Sequence, residues 1–431
     1  MRKWLLPGLA TPLLIVRDPV ALWLILLSWK ENLLRANIYL SGTILLGIIS
    51  FFTAIFFGHG NMFVALFGAR IFLLHFPVIF IIGRIFNKED VIKLGKVILW
   101  LSIPMTVLII LQFYSPQSSW VNRGVGGDLN GAGFNGGALG YFRPPGTFSF
   151  TNGNTLFYSL VACFVFYFWI NPKLVNRVLL IAASICLFIS IPISISRTLF
   201  FQVAVSLVFA SLALMNNRKY LGRLVVAVMA STIVILLLSI MPMFSTAVEA
   251  FSVRFENASE YEGGLKGTLG TRFLGSMTGS FSNFTDLPFF GYGLGMGTNA
   301  GSQLLTGKVN FLIAEEEWPR LIGEMGTLLG IFAILIRVGL AVKITAACYR
   351  KLKFDECLAW MVLSFEILLL IKGQLGQPVS LGFFALGGGL VLAALKPGEN
   401  PDGQKSKNNM KKRIRIPVPD RESALMSEND L

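Results

Sequence analysis

The chain has 431 residues, 54% of them hydrophobic and 14% charged, with a mean hydropathy of +0.67 and a formal net charge of +14. Soluble domains are about 45–50% apolar and about 25% charged, so lipid is expected to be the main solvent of this chain. No stretch alternates with period two, which leaves an all-α polytopic transmembrane helix bundle, and the basic residues gather in short segments between apolar runs, which argues for membrane topology and against nucleic acid.

In chain order, Met1-Arg2-Lys3-Trp4 leads into an apolar stretch broken by Pro7, Pro12 and Arg17-Asp18, with no small-residue site at which a signal peptide would be cleaved. Residues 4–16 read as a partial span, an interfacial helix or the remains of a twelfth span. Apolar runs then predict spans near 19–29, 38–57, 62–82, 96–114, 155–171, 177–195, 198–215, 222–242, 321–346, 355–372 and 378–395, about eleven in all (ten to twelve). The organisation expected is N-terminal spans over 1–114, a first outer loop over 115–154, central spans over 155–242, a second outer loop over 243–320, C-terminal spans over 321–395 and a basic tail over 396–431. Alternate loops carry 22 and 9 Lys plus Arg. The positive-inside rule puts the first set and the tail in the cytoplasm of a bacterial inner membrane, and both long loops outside. The tail, with Lys405, Lys407, Lys411, Lys412, Arg413 and Arg415, is expected to be disordered and to meet lipid headgroups or an export partner.

Structureless loops this long are uncommon unless functional. The first ends in GYFRPPGTFSFTNGN (Gly140 to Asn154), and the second contains TRFLGSM (Thr271 to Met277), PFFGYGLGMG (Pro288 to Gly297) and AEEEWPRLIGEMG (Ala314 to Gly326). Arg197 sits in a short turn, SISRTLF, between two expected spans. A guanidinium buried at an interface is costly unless paired, which makes Arg197 a candidate functional group, as are Arg143 and Arg272 in the loops. Arginine's planar fork binds phosphate through two hydrogen bonds, so two or three of them suit a diphosphate. Arg70, Arg337 and Glu366 lie within spans and read as interhelical pairs, with Arg70 and His75 as a second polar cluster. The run Glu315-Glu316-Glu317, followed by Trp318, Arg320 and Glu324, offers a carboxylate as general base toward a hydroxyl, or a solvated acidic patch at a helix start. Four cysteines without a CxxC and two histidines give no metal or cofactor site.

The order R-P-P-G-T-F, S-R-T, T-R-F-L-G-S, P-F-F-G-Y-G-L-G and E-x-x-W-x-R-L-x-x-E-x-G, over roughly residues 140–345, resembles the O-antigen ligase and Wzy-type polymerase superfamily. The resemblance implies a metal-independent, inverting glycosyltransferase that moves a glycan from a polyprenyl diphosphate to a hydroxyl acceptor on the outer face of the membrane. It places Arg197 and Arg272 on the donor diphosphate, with Arg143 as a further candidate, and makes the segment with Gly291 and Gly293 a tight backbone scaffold. Trp318, Arg320 and Glu324 would support the site. Ligases of the family carry a histidine where this sequence has Glu315, which points to the polymerase branch with Glu315 or Glu317 as base. The alternatives are an O-antigen ligase, a transporter or flippase of lipid-linked sugars, and a scaffold of an export complex.

Overall fold

The computed structural model describes residues 2–10, 12–128, 136–215, 222, 242–262, 287–308, 310–354 and 356–397. Within the unit Met1–Leu395, α1 (Arg17–Lys30) is followed by α2 (Ile38–Phe56). Then α3 (Met62–Arg70) runs through a π-helical turn, Ile71–His75, into α4 (Phe76–Ile85). The remaining helices are α5 (Lys88–Tyr114), α6 (Thr151–Ile170), α7 (Arg177–Ile193), α8 (Arg197–Met215), α9 (Pro242–Glu262), α10 (Asn299–Thr306), α11 (Glu317–Leu352), α12 (Leu358–Lys372) and α13 (Pro378–Ala394). Among the described residues, six continuous segments are long and apolar enough to cross a membrane: Ile38–Phe56, Met62–Ile85, Lys88–Tyr114, Thr151–Ile170, Arg197–Met215 and Glu317–Leu352. The protein is an all-α, membrane-embedded bundle.

The helix starts are written locally. Asn37, Asn61 and Asn176 each accept from backbone N–H groups of the first turn of α2, α3 and α7, and Asn87 with Asp90 forms a reciprocal cap on α5. Such side chains satisfy donors that have no partner inside the helix, a need that lipid sharpens. The central helix is α6, apolar around its whole circumference, with Tyr158, Phe164 and Phe168 fully buried. It packs against α5, α7, α8, α12 and α13. Gly95 of α5 makes room for it, since a Cβ there would stand 2.5 Å from the Phe164 ring.

Side-chain contacts show which connections share an end of the bundle. At one end, Trp4 Nε1 donates to Trp120 O (2.9 Å), Arg2 Nη1 to Ser149 Oγ (3.1 Å), Asn152 Nδ2 to Ser380 Oγ (2.9 Å), and His59 Nε2 pairs with Leu294 O (3.1 Å). At the other, Lys88 Nζ meets Glu356 (2.6 Å) and Asn171 Nδ2 donates to Cys357 Sγ (3.4 Å). Segments 58–61, 115–128, 136–150, 288–298 and 373–377 therefore gather together, with the N-terminal residues among them.

Several expectations need correction or lie out of reach. Residues 4–16 form no separate span; they hold the turns Pro7–Leu9 and Pro12–Ile15, the second leading toward α1. The stretch 243–320 is no structureless loop, because α9 and α10 occupy part of it. On α9, Phe244, Ala247 and Ala250 are buried at helical spacing, and the helix packs on α7. The first loop folds a small antiparallel hairpin, Gly136–Ala138 with Tyr141–Phe142, around Leu139 and Gly140, both left-handed. It sits in a connection outside the apolar helices, where an open sheet edge is tolerated. The expected span 222–242 falls, but for Gly222 and Pro242, outside the described residues, as do Arg272 and the tail beyond Pro397.

Candidate functional site

The hairpin and the start of α8 bring arginines together. Pro144 and Pro145 follow Arg143, and the loop is pinned from beneath: Gln112 accepts from Gly146 N (2.8 Å) and donates to Gly146 O (3.2 Å), and Asn154 donates to Pro144 O (3.2 Å). Arg143 Nη2 then donates to Ser196 Oγ (3.4 Å), and Ser196 also pairs with Thr155 Oγ1 (3.0 Å). Arg143 Nε is buried and has no hydrogen-bond partner among the described residues. Ser196 precedes Arg197, the first residue of α8, and Ile195 before it holds a left-handed φ of +46° while fully buried. A β-branched residue in that region costs about 1–3 kcal/mol, strain that collects at functional sites.

A third arginine joins from α9. Arg254 Nη1 donates to Gly136 O (2.8 Å) on the hairpin. Burial first, then the charges of Arg254 and Arg197, push Arg143 down to about 10, so it remains a cation at neutral pH. Arg197 adds a cation at the positive end of a helix, where an anion is the favoured occupant. The cluster is suited to a compact, multiply charged anion.

The acidic run does something different. Glu315 is exposed, whereas Glu317, Arg320, Glu324 and Arg337 are buried together. Glu317 accepts from Arg320 Nη2 (2.9 Å) and Nε (3.0 Å), from Arg337 Nη1 (2.6 Å) and from Leu375 N (3.0 Å). Glu324 accepts from Arg320 Nη1 (2.6 Å) and Gly297 N (2.8 Å). Arg337 also donates to Leu370 O (2.9 Å), Leu369 O (2.8 Å) and Gly373 O (3.0 Å), carbonyls at and just beyond the end of α12. Trp318 Nε1 donates nearby to Ile371 O (2.9 Å). Two acids and two guanidinium groups balance in charge and fasten four segments to one another. With four hydrogen bonds on its two oxygens, Glu317 has no lone pair left for an acceptor hydroxyl.

The glycine segment is threaded between helices. Gly291 (φ +72°) and Gly326 (φ +78°), the residue that breaks α11, interlock so closely that a Cβ on either would strike the other's backbone. A Cβ on Gly293 (φ +112°) would stand 2.6 Å from His59, and one on Gly68 would stand 2.5 Å from Gly295 N. Glu324 holds this loop through Gly297 N, so the acidic quartet and the glycines form one joint.

The structure thus brings Arg143 and Arg197 together and adds Arg254, which sequence reasoning missed. It places Glu317, Trp318, Arg320, Glu324, Gly291 and Gly293 in the neighbouring joint. Glu315 belongs to neither set of hydrogen bonds. The interhelical pair expected inside the bundle is present for Arg70, bonded to Asp18 of α1 (2.5 Å) with His75 on the same carboxylate (3.0 Å), whereas Arg337 pairs with Glu317 of its own α11, across the break at Gly326. Glu366 differs: it is fully buried, and neither oxygen has a partner among the described residues. No group of three or more His, Cys, Asp or Glu among the described residues is placed to hold a metal ion.

Fold and site define a membrane-embedded helical bundle with a cationic cluster at one end, braced by a buried ion-pair joint. No family model, no curated protein and no solved structure matches this chain.

Proposed function

We propose that this protein is a glycosyltransferase of the O-antigen ligase and Wzy-type polymerase kind, acting at the outer face of the bacterial inner membrane. It moves a sugar chain from a polyprenyl diphosphate to a hydroxyl acceptor in the building of a cell-surface polysaccharide. The observation that carries this reading is the convergence of Arg143, Arg197 and Arg254 at the end of the bundle where the long connections gather. A sugar diphosphate gains negative charge on its leaving group as the bond to the sugar breaks, and fixed guanidinium groups stabilise that charge. Arg272, expected from sequence to join the clamp, lies outside the described residues. Of the two candidate bases, Glu315 is the one open to an acceptor, and the absence of a histidine there favours the polymerase. Incubation of purified protein with lipid-linked repeat units tests the reading: a ladder of lengthening products is expected. One glycan moved to a different acceptor would indicate a ligase, and unchanged substrate would remove the proposal.

Because arginine supplies the positive charge in this reading, EDTA is expected to leave transfer intact. Activity lost to EDTA and restored by magnesium or manganese would replace the arginine clamp with a metal.

Sidedness is tested separately. In a Cys357→Ser background, which leaves only the buried Cys163, Cys186 and Cys348, Lys308→Cys is expected to react with an impermeant maleimide in intact cells. Lys353→Cys is expected to react only after permeabilisation. The opposite pattern would move the arginine cluster to the cytoplasmic face.

A further inference from the structure

A carboxyl group that the proposed transfer does not use stands inside the bundle. Glu366 lies midway along α12 with no exposure to solvent or lipid, and both of its oxygens lack a hydrogen-bond partner among the described residues. It faces α13, where three consecutive glycines leave a slot: a Cβ at Gly387 would collide with Glu366 Oε2, and one at Gly388 would stand 3.4 Å from Oε1. Ile79 of α4 closes the slot, 3.1 Å from the same Gly388 position. The packing is therefore shaped around a carboxyl group. No residue of α13 titrates, and among the described residues the charge that acts on Glu366 is that of Arg337 on α11. Arg337 sits about one turn further along α12, donating to the carbonyls of Leu369 and Leu370 while bound to Glu317. A small cavity lies against Glu317 and Arg337, lined in part by Thr43, Phe72, Ala333 and Ile336.

We propose that Glu366 is a proton-binding site within the bundle, neutral while Glu317 holds Arg337 and ionised when Arg337 turns toward it. An unpartnered carboxylate in apolar surroundings is the costlier form, so with Arg337 engaged elsewhere the site holds its proton. Glu366 and Glu317 are thus alternative partners for one guanidinium. In the exchange, one O–H bond of the Glu366 carboxyl breaks, the proton passes to water, and the carboxylate takes the charge-assisted hydrogen bond that Glu317 gives up. The proton site is thereby coupled to the joint that fixes the glycine segment through Glu324 and Arg320. None of this depends on the transferase reading.

Infrared difference spectroscopy of the full-length protein in nanodiscs, wild type minus Glu366→Gln, tests it, because the carbonyl stretch of a protonated acid is distinct from the bands of a carboxylate. The expected result at neutral pH is an acid band present in wild type and absent in the variant. Loss of carboxylate bands instead would overturn the proton site. The coupling is read from Glu317→Asp, which keeps the charge but withdraws it by one methylene and weakens its hold on Arg337. The acid band is expected to vanish at a pH lower than in wild type by about one unit or more. An unmoved titration in the folded variant would overturn the exchange. Gly387→Ala, which fills the slot, is expected to disturb the same band, and a band unaffected by that substitution would show that Glu366 does not occupy the slot.

Discussion

Replacing Arg143, Arg197 or Arg254 by Ala is expected to lower turnover by roughly 10- to 150-fold each, the equivalent of about 1.5–3 kcal/mol for a hydrogen bond to a charged group. In the proposed clamp the three act on one anion, so the double variants should lose less than the product of the single losses. Lysine at each position should rescue only part of the activity, since it keeps the charge but not the planar fork. The loss should fall on turnover as well as on donor binding, because the contact strengthens as the diphosphate leaves. Folded protein in the membrane should stay near wild-type abundance, as the bonds of Arg254 to the Gly136 and Gly137 carbonyls and of Arg143 to the Ser196 hydroxyl are made to neutral groups. Arg272→Ala belongs in the same series on sequence grounds. Full specific activity in the Arg143, Arg197 and Arg254 variants would end the clamp, and reduced abundance with normal specific activity would make the arginines structural.

The opposite phenotype is expected one joint away. Arg337→Met leaves Glu317 with an uncompensated share of charge and removes the guanidinium from the carbonyls of Leu369, Leu370 and Gly373, and Glu317→Gln leaves two guanidinium groups against one acid. Removing one partner of a buried pair costs about 3–5 kcal/mol, a large part of the roughly 5–15 kcal/mol by which a protein is folded. Both variants should accumulate poorly and melt at lower temperature in detergent. The double variant Glu317→Gln with Arg337→Met restores charge balance with Arg320 and Glu324, and should be more stable than either single change. Arg337→Met melting like wild type would mean that the quartet is not what holds the joint.

How much of this was legible beforehand depends on the range of the interaction. The apolar runs and their asparagine caps are local, so most predicted spans agree with helices to within a few residues, as for 38–57 against Ile38–Phe56. Two features broke the local reading. The hairpin at Gly136 to Phe142 carries almost no alternating pattern, and its signal is the Leu139-Gly140 turn. On α9, an amphipathic helix with Glu249, Arg254 and Glu256 among its aromatics lacks the unbroken apolar run that marks a span. Arg254 was hidden for that reason, although Phe244, Ala247, Ala250 and Arg254 recur at spacings of three to four residues. At the site, the sequence shows the acidic run but not its partners: Arg337 lies 20 residues from Glu317 and Leu375 lies 58 away. Whether a carboxylate serves as base or brace is decided by such distant partners, so Glu315 and Glu317, alike in sequence, part company in the fold.

The interlock of Gly68 with Gly295, and of Gly291 with Gly326, has a consequence for how the chain is built. The first of these joins residues 227 apart in sequence, and at a synthesis rate of roughly 5–20 residues per second the later partner emerges about 11–45 s after the first. Throughout that interval α3 stands in the bilayer with the notch at Gly68 empty. Closure of the bundle is therefore a late event, limited by delivery of the C-terminal third and not by insertion of the early helices. A chain stalled before Gly295 should be cut by proteases at residues 58–61 more readily than the finished protein, in which His59 is held against Leu294.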